Sequence, residues 1–279
     1  MDVRRLLKQW GLRPNKGLGQ NFLANQATIE KIVAAAKLTP DDIVLEVGAG
    51  LGTLTERLAR HAGHVVAVEL DQRLLPVLQS VLADFDNITL IQGDILTLDP
   101  AALISASNIQ HPVSSIQYKV IANLPYYITS AVLRHLLEAN LKPQRMAITV
   151  QREVAERIVA KPGQMSLLAV SVQFYGRPRL LFRIKPGSFY PSPEVESAVV
   201  GIDLHATPPV PVEDTAAFFH IARAGFAQRR KQLRNSLAAG LRQSPDEVAT
   251  KLRKVGVDPR RRAQTLSLEE WAKVACMLR

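Results

Sequence analysis

The run "VIANLPYYIT" (120–129) starts as an apolar, β-branched segment and ends in an amide, a proline and two aromatic rings. β-Branched residues favour a strand, and a proline holds the residue before it extended while donating no N–H of its own. Asn123, Leu124, Pro125 and Tyr126 are therefore expected on a rigid loop where the chain leaves a sheet. One chemistry asks for that set. The exocyclic amine of adenine or cytosine is a poor nucleophile, because its lone pair is delocalised into the ring. Two acceptors that bond both amine hydrogens hold the nitrogen nearer tetrahedral and free the lone pair. The Asn123 side-chain oxygen and the Leu124 carbonyl, aimed by Pro125, supply two acceptors. Tyr126 offers a face for an extruded base, worth about 1–3 kcal/mol of stacking. No strong general base is needed if the proton leaves as or after the amine attacks, so positioning carries the catalysis. Taken alone, the four residues could equally be a proline-capped strand with a structural tyrosine.

A second stretch narrows the choice. "LEVGAGLGTL" (45–54) sets Gly48, Gly50 and Gly52 after a strand-like run and before a helix-like one. Glycines there allow a tight turn and a close backbone approach to a ligand, which by itself would suit a dinucleotide. Glu69, about 20 residues on, ends the next strand, where a carboxylate can bind both hydroxyls of a ribose. Glu46 stands just before the first glycine. A carboxylate there would repel a pyrophosphate but tolerate a sulfonium and an ammonium. S-adenosylmethionine (SAM) carries both. Asp94 in "QGDI" ends a third strand, where it can accept from an adenine amino group. Three acids at the carboxyl ends of three successive strands mark the ligand crevice of a doubly wound sheet.

The elements that must position these groups follow from hydrophobic periodicity. Strand runs at 43–47, 64–70, 88–94, 118–125 and 145–151 alternate with helical spacing at 27–38, in "TLTERLARHA", in "RLLPVLQSVLADF" and in "SAVLRHLLEANL". Alternation with short connections predicts an α/β, doubly wound, Rossmann-like parallel sheet. After about residue 166 the runs "LLAVSVQFYG", "RLLFRIKP" and "ESAVVGIDL" read as strands without helices between them, so an antiparallel hairpin is expected at the sheet edge. "HATPPVPVED" (205–214) is a proline-rich break. It divides the chain into a SAM-binding catalytic domain (1–207) and a small all-helical domain (208–279), with helices expected at 214–226, 229–240, 245–255 and 267–278.

The net charge of +10 sits at the ends: residues 1–20 hold five Lys/Arg against one acid, and 208–279 hold 14 against seven, while 21–207 hold 16 against 17. Basicity concentrated in this way suggests surfaces that meet a polyanion. "QRRKQLR" (228–234) is expected to set Arg229, Arg230, Lys231 and Arg234 on about two helical turns as phosphate contacts. The Arg260-Arg261-Arg262 triplet adds to that patch. A lone cysteine, Cys276, allows no internal disulfide and suits a reducing compartment, so a cytoplasmic protein is expected. No apolar run approaches the roughly 20 residues of a membrane span. The six histidines show no metal-ligand spacing with one another or with Cys276, and no metal is expected. No heptad or apolar tail calls for a dimer, so a monomer is expected.

With these motifs in place the chain resembles the small-subunit rRNA dimethyladenosine transferases and the related erythromycin-resistance rRNA methyltransferases. "LGQNFL" (18–23), "EVGAGLGTLT", "VAVELD", "QGD", "NLPYYIT", "FYPSPEVES" (189–197) and "FAQRRKQLRNSL" (226–237) occur in that family's order. The resemblance implies that Asn21 and Leu23 contact SAM beside Gly48, Gly50, Glu69, Asp94 and Asn123. It implies that Phe189 stacks the target adenine opposite Tyr126, and leaves Phe22 either a base contact or a core residue. The implied product is N6,N6-dimethyladenosine at two adjacent adenines near the 3′ end of the small-subunit rRNA, within an immature small subunit. A large-subunit target and a binding-only factor are the rival readings; the basic tail and complete "FYPSP" stretch weigh against the first, the intact acids and Asn123 against the second. The chain departs from the family pattern in the long polar connection at 105–117 and in Gln264, where a glutamate is expected.

Overall fold

The computed structural model describes residues 2–105 and 117–279; most of the 105–117 connection lies outside them. The strands are β1 (Phe22–Leu23), β2 (Ile43–Val47), β3 (His64–Glu69), β4 (Ile88–Gln92), β5 (Tyr118–Asn123), β6 (Arg145–Gln151), β7 (Gly176–Ile184), β8 (Phe189–Tyr190) and β9 (Ser197–Leu204). Seven of them form one sheet in the order β4-β3-β2-β5-β6-β9-β7. The first five in that order are parallel, and β9 runs antiparallel to β6. Strand order reverses at β2, whose neighbours are β3 on one side and β5 on the other. That switch point opens a crevice beyond the carboxyl ends of the strands, where this sheet class binds ligands. β2, β3 and β5 are β-branched and buried almost throughout, as a strand covered on both faces must be.

The chain divides into two compact units, Met1–Ala155 with Arg179–Leu204, and Glu156–Pro178 with His205–Arg279. The second unit therefore begins close to the proline-rich break but also recruits an earlier segment. That segment carries a correction. "LLAVSVQFYG", read as a strand, is a helix, Leu167–Tyr175, whose first turn is capped by Ser166 accepting from the Ala169 N–H at 3.2 Å. A short, uniformly apolar run has no period to separate strand from helix. Its Phe174 packs on Phe218 and Phe219 in the second unit's core.

Within that unit the helices Thr215–Phe226, Leu233–Leu241, Pro245–Lys254 and Leu268–Leu278 fall close to the expected spans. The last two carry complete capping boxes, Ser244/Glu247 and Ser267/Glu270. The basic run is the exception. Residues 227–232 form a turn, so Arg229, Arg230 and Lys231 are exposed on a loop and only Arg234 is helical. The break is enforced by the Leu233 and Arg234 N–H groups, which donate to the Arg261 and Pro259 carbonyls (2.7 and 3.2 Å), with the Leu233 side chain fully buried. Arg261 is committed to the Glu270 carboxylate and the Thr265 carbonyl rather than to a basic patch. Gln264 is a structural residue: its carbonyl accepts the Gly163 and Met165 N–H groups. Among the described residues no helix is long and apolar enough to cross a membrane.

The helical core tolerates little added volume. A Cβ at Gly225 would be driven into the fully buried Trp271 indole. Gly225→Ala should therefore destabilise by about 1–3 kcal/mol despite the better helix propensity of alanine. Denaturant unfolding would measure it; an unchanged or raised midpoint would show that the indole moves aside freely.

Candidate active site

The carboxyl ends of β2, β3, β4 and β5 and the N-terminal segment 18–22 surround one cavity of about 800 Å³ including its mouth, a size that takes a nucleoside-like ligand. Asn21, Gly48, Gly50, Glu69, Asp94, Asn123, Leu124, Pro125 and Tyr126 all line it. Gly48, Gly50 and Gly52 have φ between 61° and 79°, the left-handed region that favours glycine. At Gly50 a side chain is excluded for a second reason, since its Cβ would meet the Phe22 ring at 3.1 Å.

Glu69 anchors the glycine turn. One carboxylate oxygen accepts the Gly50 N–H at 2.7 Å and the other the Asp71 N–H at 2.8 Å. Each oxygen keeps a second lone pair for a ligand. Burial raises the Glu69 pKa against those two N–H bonds. Asp71 in turn accepts from Gln20 Nε2 at 2.9 Å, and the Gln20 side-chain oxygen accepts the Asn15 N–H at 2.7 Å. The N-terminal segment is thereby tied to the β3 corner. On β4's corner Asp94 accepts the Leu96 N–H at 3.0 Å.

At the end of β5 the Asn123 Nδ2 donates to the Asn21 carbonyl at 3.0 Å. That bond takes one Nδ2 hydrogen and leaves Oδ1, on a side chain that lines the cavity, as an acceptor. Leu124 is held by its N–H, which donates to the Thr149 carbonyl at 3.2 Å, and Pro125 follows at φ −56°. The Tyr126 phenol is joined to the Ser197 hydroxyl at 2.6 Å, and burial raises its pKa. Phe22 lines the cavity as well and is at the same time buried in a small apolar cluster with Leu51 and Leu74.

Three expected site residues sit elsewhere. Leu23 and Phe189 face one another across the β1–β8 pair and are both buried in the core of the first unit, outside the cavity. The pairing turns both side chains inward, so Phe189 is a packing residue here rather than the opposite wall of a base sandwich. Leu23 acts through its backbone, its carbonyl accepting the Thr53 hydroxyl at 3.2 Å. Glu46 lies behind the glycine loop beside Thr55, fully buried, with Oε2 unpartnered. Burial pushes its pKa up to about 8, the Thr55 hydroxyl opposing and the Glu69 charge adding. At neutral pH it is mostly protonated, so its charge does not decide between a pyrophosphate and a sulfonium ligand.

The rest of the cavity lining does. A glycine turn with no side chain at Gly48 or Gly50, a carboxylate at a ribose position, a second at an adenine position and an amide at the mouth fit the nucleoside and the reactive end of SAM. Such a site on a doubly wound sheet defines a SAM-dependent methyltransferase. A family model described as ribosomal RNA adenine dimethylase matches residues 11–279, and the chain belongs to that family. A protein named ribosomal RNA small subunit methyltransferase A from Dehalococcoides mccartyi (strain CBDB1) is 48% identical over 98% of this chain and 91% of its own length. One of the same name from Pelotomaculum thermopropionicum is 44% identical over 98% and 94%. Among solved structures, the 23S rRNA methyltransferase ErmE is 28% identical with a TM-score of 0.70, covering 92% of this chain and 99% of that one. A dimethyladenosine transferase from Plasmodium falciparum, 22% identical with a TM-score of 0.74 over 91% and 95%, shares the fold.

The buried Glu46 makes a prediction about stability without ligand. Its folded pKa lies above the ordinary value of 4.5, so the folded chain holds a proton that the unfolded chain releases. Its contribution is complete below about pH 4.5 and is lost as pH rises to about 8. Unfolding free energies of the wild type and Glu46→Gln measured across that window should diverge, the wild type losing up to about 1.4 kcal/mol per pH unit relative to the variant. Parallel curves would show Glu46 ionised in the fold.

Proposed function

We propose that this chain methylates the N6 amino groups of two adjacent adenosines near the 3′ end of small-subunit rRNA, twice each, within an immature small subunit. The observation that carries the reading is the fixed Asn123 amide on the wall that also holds Glu69, Asp94 and Tyr126. SAM supplies an electrophilic methyl group. Glu69 and Asp94 hold its ribose and adenine, and Gly48 and Gly50 let the backbone close on it. The Asn123 Oδ1 and the Leu124 carbonyl each accept one hydrogen of the target amine, which leaves its lone pair free. Tyr126 supports the flipped base. Preorganised acceptors of this kind cost no reorganisation at the moment of reaction. The curated relatives at 44–48% identity carry small-subunit names, while the 23S enzyme stands at 28%, which favours the small subunit over the large.

The second unit is read as the RNA-binding one. It holds 17 Lys/Arg against 8 Asp/Glu, a net +9, while the first unit holds 18 against 17. Arg229, Arg230 and Lys231 are exposed and form no ion pair among the described residues, so they are free to meet phosphates. Arg234 is half-buried with its Nε enclosed, and so has less freedom to reach them.

Radiolabelled methyl transfer into immature small subunits tests the assignment: label in dimethyladenosine of the small-subunit RNA is expected, and label confined to large-subunit RNA, or none, would refute it. Asn123→Ala should abolish transfer while leaving SAM affinity within about tenfold; surviving transfer would remove the amine-activation account. Replacing Arg229, Arg230 and Lys231 together by alanine should weaken subunit binding at all sequences. It should lower the slope of log affinity against log salt by about 2–3, whereas an unchanged slope would place the RNA elsewhere.

A further inference from the structure

The last residue of the segment "FYPSPEVES", not its first, is bonded to a cavity-lining side chain. Ser197 opens β9, is fully buried, and stands opposite Gln151 at the end of β6. The residue before it is clamped to the same strand end: the Glu196 carbonyl accepts the Arg152 N–H at 2.9 Å, and the Glu196 carboxylate accepts from the Arg152 guanidinium at 2.9 Å. The position of the Ser197 hydroxyl is therefore set by the sheet. Tyr126 belongs to a short 3₁₀ turn, Tyr126–Ile128, and is only half-buried. A tyrosine in such a turn has two free torsions and a ring plane that a loop alone does not fix. The 2.6 Å bond to Ser197 pins the far end of that ring, at the short end of the O–H···O range and out of bulk water, where such bonds are strengthened. Tyr127, one residue on in the same turn, has no such tether among the described residues and is 60% exposed.

We infer that Ser197 is a positioning residue for methyl transfer: its buried hydroxyl, bonded to the Tyr126 phenol, sets where the ring stands against which the target adenine stacks. The inference rests on the reading of Tyr126 as the wall that supports the base. Ser197 does not line the cavity, so it touches neither substrate directly and acts only through Tyr126. An untethered ring meets the base over a wider range of positions, and fewer bound complexes align the amine for attack.

The test is a double-mutant cycle on methyl transfer into immature small subunits with Ser197→Ala, Tyr126→Phe and the double variant, with SAM affinity measured for each. Each single substitution should lower kcat by about three- to tenfold, the worth of one hydrogen bond. SAM affinity should stay within twofold, because neither change removes a ligand contact to SAM. The double variant should lose no more than either single one, since both delete the same bond. Multiplicative losses in the double variant would mean that Ser197 acts by another route, and would overturn the inference. So would undiminished kcat in Ser197→Ala. Should Ser197→Ala fail to fold, Tyr126→Phe decides alone, because it alters a half-buried side chain and keeps the ring: wild-type kcat in that variant would show that the hydroxyl bridge positions nothing. Absence of transfer by the wild-type chain would instead sink the reading of the site, and this inference with it.

Discussion

A carboxamide is useful to an amine only if its oxygen faces it, and here that choice is made by one hydrogen bond, from Asn123 Nδ2 to the Asn21 carbonyl. The two residues are 102 positions apart, so the bond exists only if the N-terminal segment is held against the end of β5. Three separate fastenings do this. β1 pairs with β8 in the register Phe22↔Tyr190 and Leu23↔Phe189. The Thr53 hydroxyl donates to the Leu23 carbonyl, fixing the segment to the helix that follows the glycine turn. Asn15, Gln20 and Asp71 connect it to the corner occupied by Glu69. Leu23 and Phe189 thus serve the chemistry by packing.

The acids divide the remaining work. Glu69 shapes the turn with two N–H bonds and keeps lone pairs for a ligand. Glu46, one strand over and sealed from solvent, is mostly protonated at neutral pH and acts as a buried polar group in the wall behind the loop. Two carboxyls near one another with one neutralised avoid the repulsion that two buried charges would create.

The sheet was legible because its strands are long β-branched runs ended by glycines or by acids, and the cavity-lining set was legible because those ends coincide in a doubly wound order. Direction was not legible. Nothing in "FYPSPEVES" says that Phe189 turns inward and that Ser197 reaches Tyr126, since both follow from a pairing between β1 and β8 and from the register of β9 against β6. That Glu46 lies outside the cavity lining was not legible for a related reason: adjacency to a glycine loop in sequence does not say on which side of a strand a carboxylate lies. "LLAVSVQFYG" lacked a usable period, and the basic run was broken by the backbone of Leu233 and Arg234 docking on residues 259–261, a contact with no local signature. Charge segregation was legible as a count but its edge was not, because Glu156–Pro178 joins the helical unit across the chain.

The orientation of the Asn123 amide is the claim on which the chemistry stands, and it can be observed without any reaction. In deuterated protein with the Asn side chains labelled, a scalar coupling across the hydrogen bond between Asn123 Nδ2 and the Asn21 carbonyl carbon, with slow solvent exchange of one Nδ2 proton, is expected. No such coupling, and an Nδ2 group exchanging at the rate of a free amide, would leave the oxygen unaimed and contradict the account.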